Sequence, residues 1–164
     1  MTDPRYTKLA KLLVEYSTAL KKGDRVLIDA IDIPDEFTVE LMRAARSAGA
    51  TPLVEVRHGR VTREVLRGTD DTHAALVRDV EMFRMKRVDA YIALRGSANI
   101  NETSDVPSDR MALYSRVLRP VLNYRVNKTR WVVLRWPTPS MAQSAGLSTE
   151  AFENFYFCLL YTSP

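Results

Sequence analysis

Residues 25–30 read "RVLIDA", a short apolar run between two stretches of helical spacing, and its assignment as a buried strand decides the fold class. On its amino-terminal side Asp3 is placed to cap a helix with Pro4 at its first position. Leu9, Leu12, Leu13, Tyr16 and Leu20 then recur at helical intervals, and "KKGD" (21–24) closes the helix with basic residues and Gly23. On its carboxy-terminal side Pro34 opens a second helix with Phe37, Leu41, Ala44, Ala45 and Ala48 on one face, ending at Gly49.

The alternation continues along the chain. "TPLVEVR" (51–57) is a second strand, followed by "HGRVTREVLRGT" (58–69), a connection framed by Gly59 and Gly68 whose structure the pattern leaves open. Thr69 is expected to cap a third helix, with Asp70 and Asp71 complementing the positive end of its dipole and Leu76, Val80 and Phe83 on its buried face. "DAYIALRG" (89–96) is the third strand and leads into a polar loop. Ser108 is expected to cap a fourth helix with Met111, Tyr114, Leu118, Val121 and Leu122 on one stripe, kinked or shortened at Pro120. "TRWVVLRWP" (129–137) is the fourth strand, and one or two short helices fit between Pro139 and Phe157. Short strands alternating with helices imply right-handed βαβ units. The expected fold is a three-layer α/β domain, its mostly parallel sheet of four or five strands flanked by helices.

With 164 residues, 46% of them hydrophobic and 27% charged, the chain suits one domain with one core. The opening "MTDPRYTKLAKLL" has interspersed charges and no apolar segment, and no run approaches the roughly 20 residues that cross a bilayer, so a cytoplasmic location is expected. Cys158 is the single cysteine, which excludes an internal disulfide. The net charge of +4 is unevenly placed: no acidic residue occurs from Arg110 to Thr149, while Arg110, Arg116, Arg119, Arg125, Lys128, Arg130 and Arg135 all fall there. Such a segment suits a solvated basic face, a surface that neutralises phosphates with help from Tyr114, Tyr124, Trp131 and Trp136, or a face turned to carboxylates outside this chain. Most of those aromatics fall at helix or strand spacing and are expected in the core.

Residues that carry chemistry are sparse. The only histidines, His58 and His73, lie fifteen residues apart with no His-Glu-x-x-His helix and no cysteine pair, so no metal site is expected, and His73 is expected at the surface of the third helix. No glycine-rich phosphate cradle follows a strand; "AIDIPDEF" (30–37) is glycine-free and acidic. Ser140 and Ser144 lack a nucleophile elbow and suit a helix start and a turn, and Cys158 has no base nearby in sequence. The loop "RGSANINETSDVP" (95–107) is the strongest local candidate, because parallel sheets carry functional loops at the carboxyl ends of their strands. Asn99, Asn101 and Glu102 are its candidate substrate-cavity residues; the competing reading is that the asparagines serve turn geometry.

From Phe155 to Tyr161 the chain is unbroken aromatic and aliphatic residues, which water would leave exposed at a cost of several kcal/mol at about 25 cal/mol per Å². Such a run normally continues into further structure. The blocks "LRWPTPSMAQSAGLSTEAFENFYF" (134–157), "DPRYTKLAKLLVEYSTALKKGDRVLI" (3–28), "AARSAGATPLVEV" (44–56) and "VDAYIALRGSANINETSDVPSDRMALY" (88–114) closely resemble, in order and spacing, the metalloaminopeptidases of the thermophilic aminopeptidase T and aminopeptidase S type.

The likeness spans most of residues 4–157 and implies an amino-terminal α/β domain, 1–157, of a two-domain, dimeric enzyme. In that family two divalent metal ions, of zinc, cobalt or magnesium type, serve the removal of amino-terminal residues from peptides. It implies further that the ligands, glutamates, histidines and an aspartate, lie in a carboxy-terminal half without counterpart here. No catalytic or metal residue is therefore expected in this chain, no metal is expected to bind it, and it should be inactive alone. "CLLYTSP" (158–164) departs from the family pattern and reads as a truncation or frame artefact. Read without the resemblance, a basic α/β module for RNA or another polyanion is the alternative. Under the resemblance a peptide is the substrate, nucleic acid is disfavoured, and no membrane is involved.

Overall fold

The computed structural model describes residues 3–162. A four-stranded, fully parallel sheet runs through it in the order β2-β1-β3-β4, formed by Arg25–Ile31 (β1), Thr51–Arg57 (β2), Ala90–Arg95 (β3) and Arg130–Arg135 (β4). The register aligns Ile28 with Val54 on one side and with Ile92 on the other, and Ile92 with Val132. Side chains alternate across a strand, so each central strand feeds two layers. Val26, Ile28, Ala30, Ala90, Ile92 and Leu94 point into the larger core; Leu27, Tyr91 and Ala93 point into a smaller one on the opposite face. This is the three-layer α/β arrangement the alternation predicts.

The larger core lies under α1 (Pro4–Lys11), α2 (Asp35–Ser47) and α7 (Thr149–Thr162). An aromatic cluster centred on Trp136 binds these helices together: its ring lies 4.7 Å from Phe37, 5.4 Å from Tyr6 and 6.1 Å from Phe157. Asp3 caps α1 as expected, its carboxylate accepting from the Arg5 amide at 2.9 Å. Beyond Lys11 the helix widens into a π-helical stretch, Leu12–Ser17, which changes the spacing of the buried face by one residue. Leu13 and Val14 are consequently buried while Tyr16, expected on the core face, is 74% exposed. The α7 helix continues without a break through the apolar run: Leu160 packs against the core, and the Tyr161 hydroxyl donates to the Arg5 carbonyl at 2.6 Å.

The other face carries α3 (Gly59–Arg67), α4 (Asp71–Met85) and α5 (Ser108–Lys128), with the short α6 (Pro139–Ser144) beyond β4. Here one open assignment is filled and several expectations are corrected. The unassigned connection after β2 is the helix α3. Thr69 is fully buried behind α4, and the cap is Asp70, whose carboxylate accepts from the His73 amide at 2.7 Å. Ser108 is the first helical residue of α5, after Pro107, and Pro120 sits inside α5 without ending it. Finally, Leu76, Val80 and Phe83 are 63%, 44% and 58% exposed; α4 buries Ala74 and Met85 instead. Along α5 only Val121 is buried, with Met111 and Leu122 exposed. Leu76 and Val80 do turn inward, but toward a space that no side chain fills.

Leu76→Ala should therefore cost only about 0.5 kcal/mol, since little contact is lost at a side chain already in water. Chemical denaturation in urea reads this directly, and a loss of several kcal/mol would mean that α4 packs more tightly than the 63% exposure of Leu76 implies.

Candidate functional site

A cavity of about 620 Å³ opens between α3, α4, α5 and the sheet. Its walls are apolar, contributed by Val61 and Val65 of α3, Leu76 and Val80 of α4, and Leu118 and Leu122 of α5. Its floor is charged, because β1 places Asp29 in the middle of an otherwise apolar strand, on the face of Leu27, Tyr91 and Ala93. A buried carboxylate is tolerated only if it is paired and hydrogen-bonded. The two flanking strands supply the partners. Arg57 closes β2 and donates to Asp29 through Nη2 at 2.6 and 2.8 Å and through Nε at 3.1 Å. Arg95 closes β3 and donates through Nη2 at 2.6 Å to the same carboxylate and through Nη1 at 2.8 Å to the Asp29 carbonyl. The Tyr91 hydroxyl donates to Asp29 at 2.7 Å and accepts from Arg95 at 2.8 Å.

Burial alone would raise the Asp29 carboxyl, but the charge of Arg95 and the charge and hydrogen bonds of Arg57 outweigh it and hold it below the ordinary carboxylate range. Burial, reinforced by the Asp29 charge, pushes the Tyr91 phenol up to about 12, so it stays a neutral donor. Above the Tyr91 ring lies the guanidinium of Arg125, with its central carbon 3.9 Å from the ring centroid. At the rim Arg84 pairs with Glu55 and approaches Glu81 at 3.5 Å. Burial and then the neighbouring Glu55 raise the Glu81 carboxyl. His73 is half-buried on the cavity wall, where its Nδ1 lies 2.9 Å from the Thr69 hydroxyl; it is not the surface residue its helix position suggested.

A second polar group sits at the carboxyl ends of β1 and β3, where the chain has crossed from one side of β1 to the other. Such switch points are where open parallel sheets hold ligands. Asp32 adopts a left-handed backbone there, φ 50°, and its carboxylate accepts from the Gly59 amide at 2.9 Å and lies 3.4 Å from His58 Nδ1. The loop carrying the sequence candidates passes beside it. The Asn99 carboxamide accepts from the Asn101 amide at 3.0 Å, and its carbonyl accepts from the Glu102 amide at 3.2 Å, so these three residues close a turn. Asn99 and Asn101 are exposed, Glu102 is half-buried near Gly59, and none of the three lines the 620 Å³ cavity.

The remaining candidates resolve into structural roles. Ser140 donates to the Ser97 carbonyl at 2.9 Å and ties α6 to the loop after β3, while Ser144 donates to the Ser140 carbonyl at 2.9 Å within α6 itself. Three bases of the acid-free segment are each used separately. Arg110 donates to the Thr69 carbonyl, Arg125 stacks on Tyr91, and Arg130 joins Asp24 at 2.7 Å to the carbonyls of Thr18 and Ala19. Of the aromatics mostly expected in the core, Trp136 is buried and Tyr124 packs against the smaller core, while Trp131 is exposed on edge strand β4. Among the described residues no three histidine, cysteine, aspartate or glutamate side chains gather closely enough to hold a metal ion. Asp32 and His58 with Glu102 nearby fall short of such a set, so the donors here do not fit a metal centre. Among the described residues no helix is long and apolar enough to cross a membrane.

The Asp29 cluster is the feature that sequence reading missed. Its signal was an acid inside "RVLIDA" and an arginine at the end of each neighbouring strand, "TPLVEVR" and "DAYIALR".

Comparison with known proteins adds an independent line. No curated protein matches the sequence significantly. Among solved structures, wild-type AmpT from Thermus thermophilus superposes with a TM-score of 0.71 at 20% identity, a match covering 92% of this chain and 41% of that one. The chain thus spans less than half the length of that protein, and at this identity the likeness establishes the fold. A chain described as a LacI-family transcription repressor from Corynebacterium glutamicum aligns over 80% of this chain and 60% of its own at 12% identity, with a TM-score of 0.34, too low to bear on the fold. The model of the thermophilic metalloprotease (M29) family matches residues 2–163, and the chain belongs to that family.

Proposed function

We propose that this chain is the amino-terminal α/β domain of a metal-dependent aminopeptidase, with the metal-binding residues in a carboxy-terminal domain outside these 164 residues. The observation that carries the reading is the family match over residues 2–163, which makes the protein a metalloprotease by membership while the described residues lack a metal-holding cluster. The match to 41% of the length of AmpT supports the two-domain division. Removal of amino-terminal residues from peptides, a homodimeric assembly, two divalent ions and a cytoplasmic setting extend the same reading. Within it the domain acts as a scaffold, and the switch-point loop with Asn99, Asn101 and Glu102 forms one wall of the peptide cavity. Half-buried Glu102, in that reading, faces the peptide from a turn that Asn99 and Asn101 hold closed.

Supplied with cobalt or zinc, the 164-residue chain should leave a leucyl anilide unhydrolysed. A chimera that continues it with the carboxy-terminal remainder of AmpT should release the anilide in a metal-dependent, chelator-sensitive way. Turnover by the chain alone would place the chemistry within these residues, and a folded but inactive chimera would remove the domain reading.

A further inference from the structure

We propose that the cavity between α3, α4, α5 and the sheet binds a small monocarboxylate with an aliphatic body, its carboxylate received by Arg125 and its chain lying along the apolar walls.

The charges of the cavity argue for an anion of one charge. Three guanidinium groups line it, those of Arg57, Arg95 and Arg125. The Asp29 carboxylate is committed to the first two, and Glu55 and Glu81 at the rim face Arg84. Among the described residues no carboxylate pairs with Arg125, and its Nε is a buried nitrogen with no hydrogen-bond partner. Burial closes the Nε itself to an incoming group, so the terminal nitrogens of this cavity-lining guanidinium are what a ligand meets, and a planar guanidinium without an anionic partner is suited to a carboxylate. The Tyr91 ring, with its centroid 3.9 Å from the guanidinium carbon, restrains the Arg125 group, so little side-chain freedom is lost when an acceptor binds.

The same surroundings exclude the neighbouring chemistries. A cation would meet a guanidinium with no carboxylate of its own. A phosphate or dicarboxylate would bring a second negative charge toward Glu55 and Glu81. The walls ask for an apolar body: Val61, Leu76, Val80 and Leu122 are all at least 44% exposed and would lose that exposure to an aliphatic chain. At about 620 Å³ the space falls within the range of small-molecule sites. Nothing here rests on the peptidase reading, because the readout is binding and not turnover.

Calorimetric titration of the 164-residue chain with octanoate, and in parallel with octanamide, tests the proposal. Octanoate should bind at least about tenfold more tightly than the uncharged amide, the amount a charge-assisted hydrogen bond is worth. Arg125→Met should bring octanoate down to the level of octanamide, with Arg125→Lys between, while far-UV circular dichroism stays unchanged. If Arg125→Met does not fold, the acid-to-amide comparison on the unsubstituted chain decides alone. Equal affinity for acid and amide, absence of octanoate binding, or full affinity in folded Arg125→Met would each overturn the proposal. So would a dimer in sedimentation that closes the cavity and leaves octanoate unbound.

Discussion

Replacing Asp29 with alanine should destabilise the domain by about 3 kcal/mol, because it strands two arginines that the fold has brought to one carboxylate. The side chain of Asp29 is 5% exposed, so its own removal costs little solvation, while Arg57 and Arg95 lose their shared partner. Their side chains keep 35% and 29% of their exposure, which lets water compensate in part and keeps the loss at the lower end for a broken buried pair. The pH dependence gives a second reading. A carboxyl held below its ordinary value contributes stability that is present above the unfolded value and fades as pH falls through the folded one. The gap in urea midpoint between the native chain and Asp29→Ala should thus be full at neutral pH and close below the ordinary carboxylate range. A gap under about 0.5 kcal/mol at neutral pH would show that the cluster is not a stabilising unit. Asp29→Leu combined with Arg57→Met should recover part of the loss, since it leaves one stranded arginine, Arg95, where Asp29→Ala leaves two.

Local pattern read the skeleton of this molecule well. All four strands fall within a residue or two of their expected bounds, and Asp3 and Gly49 end helices where their chemistry says they should. What it could not read depends on partners distant in sequence. The face of α4 illustrates this: Leu76 and Val80 have the periodicity of a buried stripe and do face inward, yet periodicity cannot say whether the inward volume is filled. The stripe of α5 stands opposite across the same space. Likewise an acid in β1 and arginines closing β2 and β3 look like three unrelated charges until parallel register sets Asp29 between Glu55 and Ala93 and makes them one cluster. Helix α3 escaped notice because its glycine frame and polar composition hide a short apolar face of Val61, Val65 and Leu66. The π-helical turn after Lys11 leaves no compositional trace at all, and it turned Tyr16 out to solvent.

Gly96→Ala should be about as damaging as the loss of Asp29, by a different route. A Cβ at Gly96 would lie 2.2 Å from the Asp32 carbonyl oxygen and 3.0 Å from its carbon, and both atoms are backbone. Asp32 already holds a left-handed conformation, and the Gly96 amide donates to the Ile31 carbonyl at 2.7 Å, so neither chain can yield without breaking what ties β1 to β3 at their carboxyl ends. Overpacking of this kind costs about 3 kcal/mol. Gly59→Ala makes the internal comparison. Its Cβ would meet the Asp32 Oδ2 at 2.7 Å, the far end of a side chain that can rotate away, at the loss of one hydrogen bond worth about 1 kcal/mol. Measured side by side in urea, the two substitutions separate a backbone obstruction from a side-chain one. Should Gly96→Ala prove as mild as Gly59→Ala, the switch-point crevice is looser than its contacts indicate. The loop of Asn99, Asn101 and Glu102 would then not be held rigidly enough to form the wall of a substrate cavity.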